Sequence, residues 1–228
     1  MKKVVVFTGA GISAESGLQT FRGNDGLWEE YRIEDVATYS AWLKNQALVL
    51  EFYNKRRKQV LEAKPNPAHY ALAALQDKYD VQIITQNIDD LHERSGSKKV
   101  LHLHGEVRKA RSTSNPSDIQ LINGSELNIG DKCANGSQLR PHIVWFGEPV
   151  PEMDHAIYLT KDADIFIVIG TSLEVYPAAS LLDFVQYDAV KYLIDPNSQL
   201  NYPGISVLHE KASIGVPQLI HKLLNVYV

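Results

Sequence analysis

Residues 2–17 read KKVVVFTGAGISAESG, and the joint between the two halves of this stretch decides the fold. The first half, residues 2–7, is a short run of β-branched and aromatic residues that predicts a buried strand. It passes directly into Gly9, Gly11 and Ala14, which fit the G-x-G-x-x-G/A pattern of a dinucleotide-binding turn between strand and helix. Glycines in such a turn let backbone approach a pyrophosphate, while N–H groups of the turn and the following helix supply donors. Tight packing of the turn on its neighbours is the alternative reason for glycine there.

Working outward, apolar runs recur at residues 81–85, 100–104, 142–146, 164–170, 190–194 and 205–209. Several are apolar on both faces, as parallel strands covered by helices are. Helical patterns separate them, at 68–79 after Pro67, at 178–186 after Pro177 and at 216–227. The alternation predicts an α/β fold on a doubly wound parallel sheet. Residues 25–78 and 106–141 break the rhythm, the first with charged helices and loops, the second with Ser, Asn, Gly and Asp and almost no apolar period. They predict a smaller inserted helical and loop domain, with the sheet domain formed by 1–24, 79–105 and 142–228.

With 228 residues, 44% of them hydrophobic, the chain can bury about 70–75% of its unfolded surface. A net charge of −4 supplies no field for a polyanion, so no nucleic-acid partner is expected. No stretch reaches the roughly 18 apolar residues of a membrane helix. Cys133 is the single cysteine, which rules out an intramolecular disulfide and points to the reducing cytoplasm. A monomer is expected, since no obviously exposed apolar helix stands out.

The first turn alone would suit a dehydrogenase, which next needs a second strand and an acidic residue about 20 positions on to hold the ribose. Residues 21–31, FRGNDGLWEEY, instead read as a loop around Phe21 and Arg22. That counts against hydride transfer and favours other dinucleotide chemistry.

Ligands of open α/β sheets bind at carboxyl ends of strands, and several predicted strands here end in polar or small residues. Strand 81–85 runs into Gln86, Asn87 and Asp89, with Asp89 and Asp90 alternatively capping the next helix. Strand 100–104 ends in LHLHGE, with His102 and His104 two residues apart and therefore on one face. His104, at the strand end, is the candidate for general acid–base chemistry, because imidazole titrates near neutrality. Gly147, and then Gly170, Thr171 and Ser172, close two further runs.

Taken together, TGAGISAESG (8–17), FRGNDGLW (21–28), TQNIDDLHERSG (85–96), LHLHGE (101–106), PHIVWFGE (141–148) and IGTSLEVYPAA (169–179) resemble, in order and over nearly the whole chain, the motifs of the sirtuins, NAD-dependent protein-lysine deacylases. The resemblance implies a Rossmann-like NAD-binding domain and NAD as co-substrate. Gly9, Ala10, Gly11, Phe21, Arg22, Gln86, Asn87, Asp89, Gly170, Thr171 and Ser172 would bind NAD, and His104 would be the catalytic base. In the family's mechanism the acyl oxygen of a modified lysine displaces nicotinamide, and the base then helps a ribose hydroxyl attack the resulting imidate, releasing lysine and O-acyl-ADP-ribose. An acylated lysine in a protein or peptide would lie as a strand beside Val144, Phe146, Gly147, Glu148 and Val175. An ADP-ribosyltransferase, an NAD hydrolase and a non-catalytic nucleotide-binding module are the alternatives.

Three further features come from the same resemblance. Tyr53 and Arg56, one helical turn apart, with Ala37 upstream, match the Tyr-x-x-Arg pair of sirtuins that remove succinyl and malonyl groups, where the guanidinium holds a carboxylate. Asp195 stands where an asparagine commonly contacts the adenosine ribose, and Ala212 matches the adenine-side loop loosely. The two Cys-x-x-Cys pairs of the usual zinc site fall on Ser112, Asn115, Cys133 and Gly136, so no zinc is expected.

Overall fold

A computed structural model describes residues 1–18, 31–171, 173, 175–198 and 204–225. In chain order the strands are β1 (Lys3–Thr8), β2 (Asp80–Thr85), β3 (Val100–His102), β4 (Gly105–Ser112), β5 (Ile119–Leu121), β6 (Leu139–Ile143), β7 (Ile165–Ile169), β8 (Val190–Ile194) and β9 (Ile205–Leu208). The helices are α1 (Gly11–Ala14), α2 (Ile33–Val36), α3 (Tyr39–Lys44), α4 (Gln46–Glu62), α5 (Pro67–Leu75), α6 (Leu91–Arg94), α7 (Met153–Lys161) and α8 (Ala212–Asn225), with a 3-10 helix at Ala178–Phe184.

Among the described residues the large sheet is parallel throughout, in the order β3-β2-β1-β7-β8-β9. Strand β1 sits centrally because its side chains are apolar on both faces. Val4 and Val6 pack with Leu72 and Leu75 of α5 and with Val216 and Leu219 of α8. Val5 and Phe7 pack on the opposite side with Ala156 of α7 and Leu181 of the 3-10 helix. Strand order reverses on either side of β1, which opens a crevice beyond its carboxyl end.

Strands β5, β4 and β6 form a separate antiparallel sheet. It shares a second apolar cluster with α2, α3 and α4, including Trp42, Phe52, Tyr53, Val107, Ile143 and Trp145. Arg57 clamps α4 to this sheet: its buried guanidinium donates to Val107 O at 2.7 Å and to Ser125 O at 2.8 Å. Residues 106–141 therefore hold more order than their composition predicts. Their apolar anchors, Val107, Ala110, Ile122, Leu127, Cys133 and Leu139, are too irregularly spaced to leave a period.

Two expectations of placement differ from the structure. The apolar run 142–146 does not join the parallel sheet. Strand β6 ends at Ile143 and pairs antiparallel with β4, and the rest of the run packs on the smaller cluster. Apolarity reports burial without saying against which sheet. Helix α5 lies within the 25–78 segment, yet it packs on the parallel sheet and against α8. Its start explains this: Asn66 caps α5 by accepting from Ala68 N at 3.0 Å, and donates to Ile12 O at 2.7 Å, which ties the helix to the β1–α1 turn.

Cys133 is buried, with Sγ 3.3 Å from Ser112 Oγ and 2.6 Å from Asn135 Oδ1. Among the described residues no group of three or more His, Cys, Asp or Glu gathers in a way that could hold a metal ion.

Candidate active site

The β1–α1 turn is built by mutual close approach of two backbones. Gly11 N donates to Gly170 O at 2.8 Å, and a Cβ on Gly11 would stand 2.6 Å from Gly170 Cα. A Cβ on Gly9 would stand 2.7 Å from Thr171 Cβ. Glycine is thus required at 9 and 11 by packing of the first turn on the end of β7, whatever else binds there. Gly170 itself adopts a φ of +61°.

Above this joint lies a cavity of about 780 Å³. Ala10, Gly11, Gln86, Asn87, Asp89, Gly170, Thr171, Asp195 and Ala212 line it at the carboxyl ends of β1, β2, β7 and β8 and the start of α8. His104, Val144, Phe146, Gly147, Glu148 and Val175 line it too, as do Ala37, Tyr53 and Arg56. Gly9 is not part of the lining. Phe21, Arg22 and Ser172 lie outside the described residues.

Buried polar groups brace the floor. Asn87 Nδ2 donates to Gly9 O at 3.1 Å and to Ser13 Oγ at 3.2 Å, which commits both amide hydrogens and leaves its side-chain oxygen without a protein donor among the described residues. Asp89 accepts from Ser13 Oγ at 3.0 Å and from Leu91 N at 3.2 Å, so it both caps α6 and joins the floor. Burial pushes its carboxyl pKa up, against the lowering effect of those two bonds. Asp90 turns away and pairs with Arg108 at 2.7 Å.

The two histidines at the end of β3, His102 and His104, separate by environment. His102 Nδ1 is 2.9 Å from Asn87 O and Nε2 is 2.8 Å from Glu93 Oε1, so both nitrogens face acceptors. Burial disfavours its charge, but Glu93 and the Asn87 carbonyl outweigh that and raise its pKa. Among the described residues His104 has one such partner, Gln86 O, 3.1 Å from Nδ1. A carbonyl only accepts, so Nδ1 carries the proton and Nε2 keeps a lone pair. Burial holds the His104 pKa below the ordinary histidine value, against a smaller opposing effect of the Gln86 carbonyl.

The Sir2 family model matches residues 9–177. The chain belongs to the Sir2 family. It is 50% identical to the NAD-dependent protein deacylase of Bacteroides thetaiotaomicron, with 98% of this chain and 99% of that protein covered. It is also 50% identical to the NAD-dependent protein deacylase of Helicobacter pylori, with 99% of each covered. Among solved structures, a Sir2 homologue in complex with NAD is 41% identical and superposes with a TM-score of 0.90, covering 99% of this chain and 90% of that one.

Two side chains of this Sir2-family cavity escaped the sequence reading. Ser13, within α1, bridges Asn87 and Asp89, and its place two residues after Gly11 was the available signal. Trp145 lines the cavity between Val144 and Phe146. Strand alternation gave no guide to it, because β6 has already ended and the loop follows no pleat.

Proposed function

We propose that this chain is an NAD-dependent protein-lysine deacylase, acting on acetyl-lysine and on lysines bearing acidic acyl groups, with its NAD domain formed by the parallel sheet and its smaller domain by 25–78 and 106–141 apart from α5. One observation carries the reading: a neutral-poised His104 shares one cavity with the β1–α1 turn and with Tyr53 and Arg56. NAD fits beside the β1–α1 turn, where Gln86 Nε2 is buried without a protein partner among the described residues and so calls for an acceptor such as a carboxamide oxygen.

Bound NAD supplies a ribose carbon whose bond to nicotinamide breaks as the acyl oxygen adds to it. The chain positions and moves protons around that event. Asn87, locked to Gly9 and Ser13, presents its side-chain oxygen to the ribose face. His104 Nε2 would take the proton of a ribose hydroxyl as that oxygen adds to the acyl carbon, with the lysine amine as leaving group and water completing the O-acyl-ADP-ribose. The loop from Val144 to Glu148 is held for a peptide strand by Phe146 N donating to Ala37 O at 3.0 Å and Val144 N donating to His104 O at 3.0 Å. Arg56, set in the wall, supplies a guanidinium for a terminal carboxylate.

Incubation of the protein with NAD and acetyl- or succinyl-lysine peptides tests the reading. Nicotinamide release that depends on peptide, with loss of the acyl mass from both peptides, is the expected result. NAD loss without peptide would point to hydrolysis, and turnover of acetyl but not succinyl peptide would remove Arg56 and Tyr53 from the account.

The pH profile provides a second check. The competent form of His104 is neutral, and its pKa is lowered, so protonation silences it only below the ordinary histidine value of about 6.5. The acid limb of kcat/KM should therefore fall below that pH. A limb above it would contradict a buried His104 acting as base.

A further inference from the structure

One hydrogen bond in the acyl wall has a direction that chemistry settles. Trp145 Nε1 lies 3.0 Å from the Tyr53 hydroxyl oxygen, and both residues are buried. An indole N–H only donates. The Tyr53 oxygen therefore accepts, and among the described residues no protein acceptor takes the hydroxyl proton. Burial pushes the phenol pKa well above the ordinary tyrosine value, so the proton stays in place at neutral pH.

Trp145 is itself firmly held. The Arg140 guanidinium stacks 3.5 Å from its ring centroid, and Trp42 lies at 5.8 Å between centroids. Glu148 accepts from Arg140 Nη1 at 2.7 Å, from Arg140 Nη2 at 2.9 Å and from Trp145 N at 2.9 Å. Side chain and backbone of Trp145 are thus fixed by one ion pair, and the indole has little freedom to release Tyr53.

We propose that Trp145 is a positioning residue for acyl-group selection. By occupying the acceptor side of the Tyr53 hydroxyl, it makes Tyr53 a donor aimed at an oxygen-terminated acyl group beside Arg56. The inference rests on the acidic-acyl reading of Tyr53 and Arg56 and adds the group that sets the hydroxyl's polarity. Without the indole N–H, the hydroxyl rotor is free to turn its proton elsewhere, and the acyl terminus loses a preoriented donor.

The alternative is that the bond merely anchors the loop, and a double-mutant cycle separates the two. The readout is kcat/KM for succinyl peptide divided by that for acetyl peptide, measured on one preparation of each variant, so that the folded fraction cancels. Trp145→Phe keeps an aromatic ring and removes the donor. The ratio should fall about five- to tenfold, the scale of one hydrogen bond, mainly through KM for the succinyl peptide. In a Tyr53→Phe background the same substitution should leave the ratio unchanged. An equal loss on both peptides, or an undiminished effect in the Tyr53→Phe background, would overturn this inference and leave the pocket reading standing. A native enzyme that deacetylates but turns over no succinyl peptide would overturn both.

Discussion

Replacing His104 by alanine should lower kcat for acyl-peptide turnover by about 10²- to 10⁴-fold, the usual range for loss of a positioned general base. Affinity for NAD, read by calorimetry, should change far less. His104 lines the same cavity as Gln86, Asn87 and Tyr53, and its Nδ1 is committed to Gln86 O. Alanine removes the ring that presents a bare nitrogen there, while Asn87 and Asp89 keep their bonds to Gly9, Ser13 and Leu91. His102 does not substitute, because both of its nitrogens face acceptors. A variant retaining a tenth or more of the native kcat would remove His104 from the base role.

Gly105→Ala should be the most damaging single methyl in the described chain. Gly105 has a φ of +82°, and a Cβ there would stand 2.0 Å from His142 O and 2.9 Å from His142 C. The left-handed conformation alone costs an L-residue roughly 1–2 kcal/mol. Backbone does not yield like a flexible side chain, so β4 must separate from β6 at its first pair, Gly105 with Ile143. The combined loss should be on the order of 4 kcal/mol, in the range kept for exceptional substitutions. It falls next to His104, so activity should fall with stability. Gly124→Ala is the control: φ is +81° there with nothing within 4 Å of the added carbon, and only the conformational cost of about 1–2 kcal/mol applies. Denaturant melts of the two variants give the comparison, and similar losses would refute the clash.

Much of the fold could be read before any contact was known. Strand β1 and its glycine turn, the both-face apolarity of β7 and the Pro-started α5 are local signals, each carried by a few adjacent residues. They report backbone preference and burial, and the doubly wound parallel sheet follows from them. Where the reading slipped, the signal was not local. The run 142–146 is as apolar as a strand of the large sheet, but its partners are β4, α4 and Arg140. Residues 106–141 lack a period because their apolar anchors are scattered, and the smaller cluster becomes apparent only when the chain closes on itself.

The candidate site divides along the same line. By itself the sequence determined the strand ends that carry Gln86, Asn87, His104 and Thr171, since each stands beside a run whose period is plain. It also determined the Tyr53–Arg56 spacing, which the helix turns to one face. Tertiary structure alone decided which glycines are bound by packing, which of two histidines keeps a free nitrogen, and that Trp145 meets Tyr53 across 92 positions of chain. Hydrogen-bond direction and burial depend on neighbours brought together by folding, and adjacent residues carry no record of them.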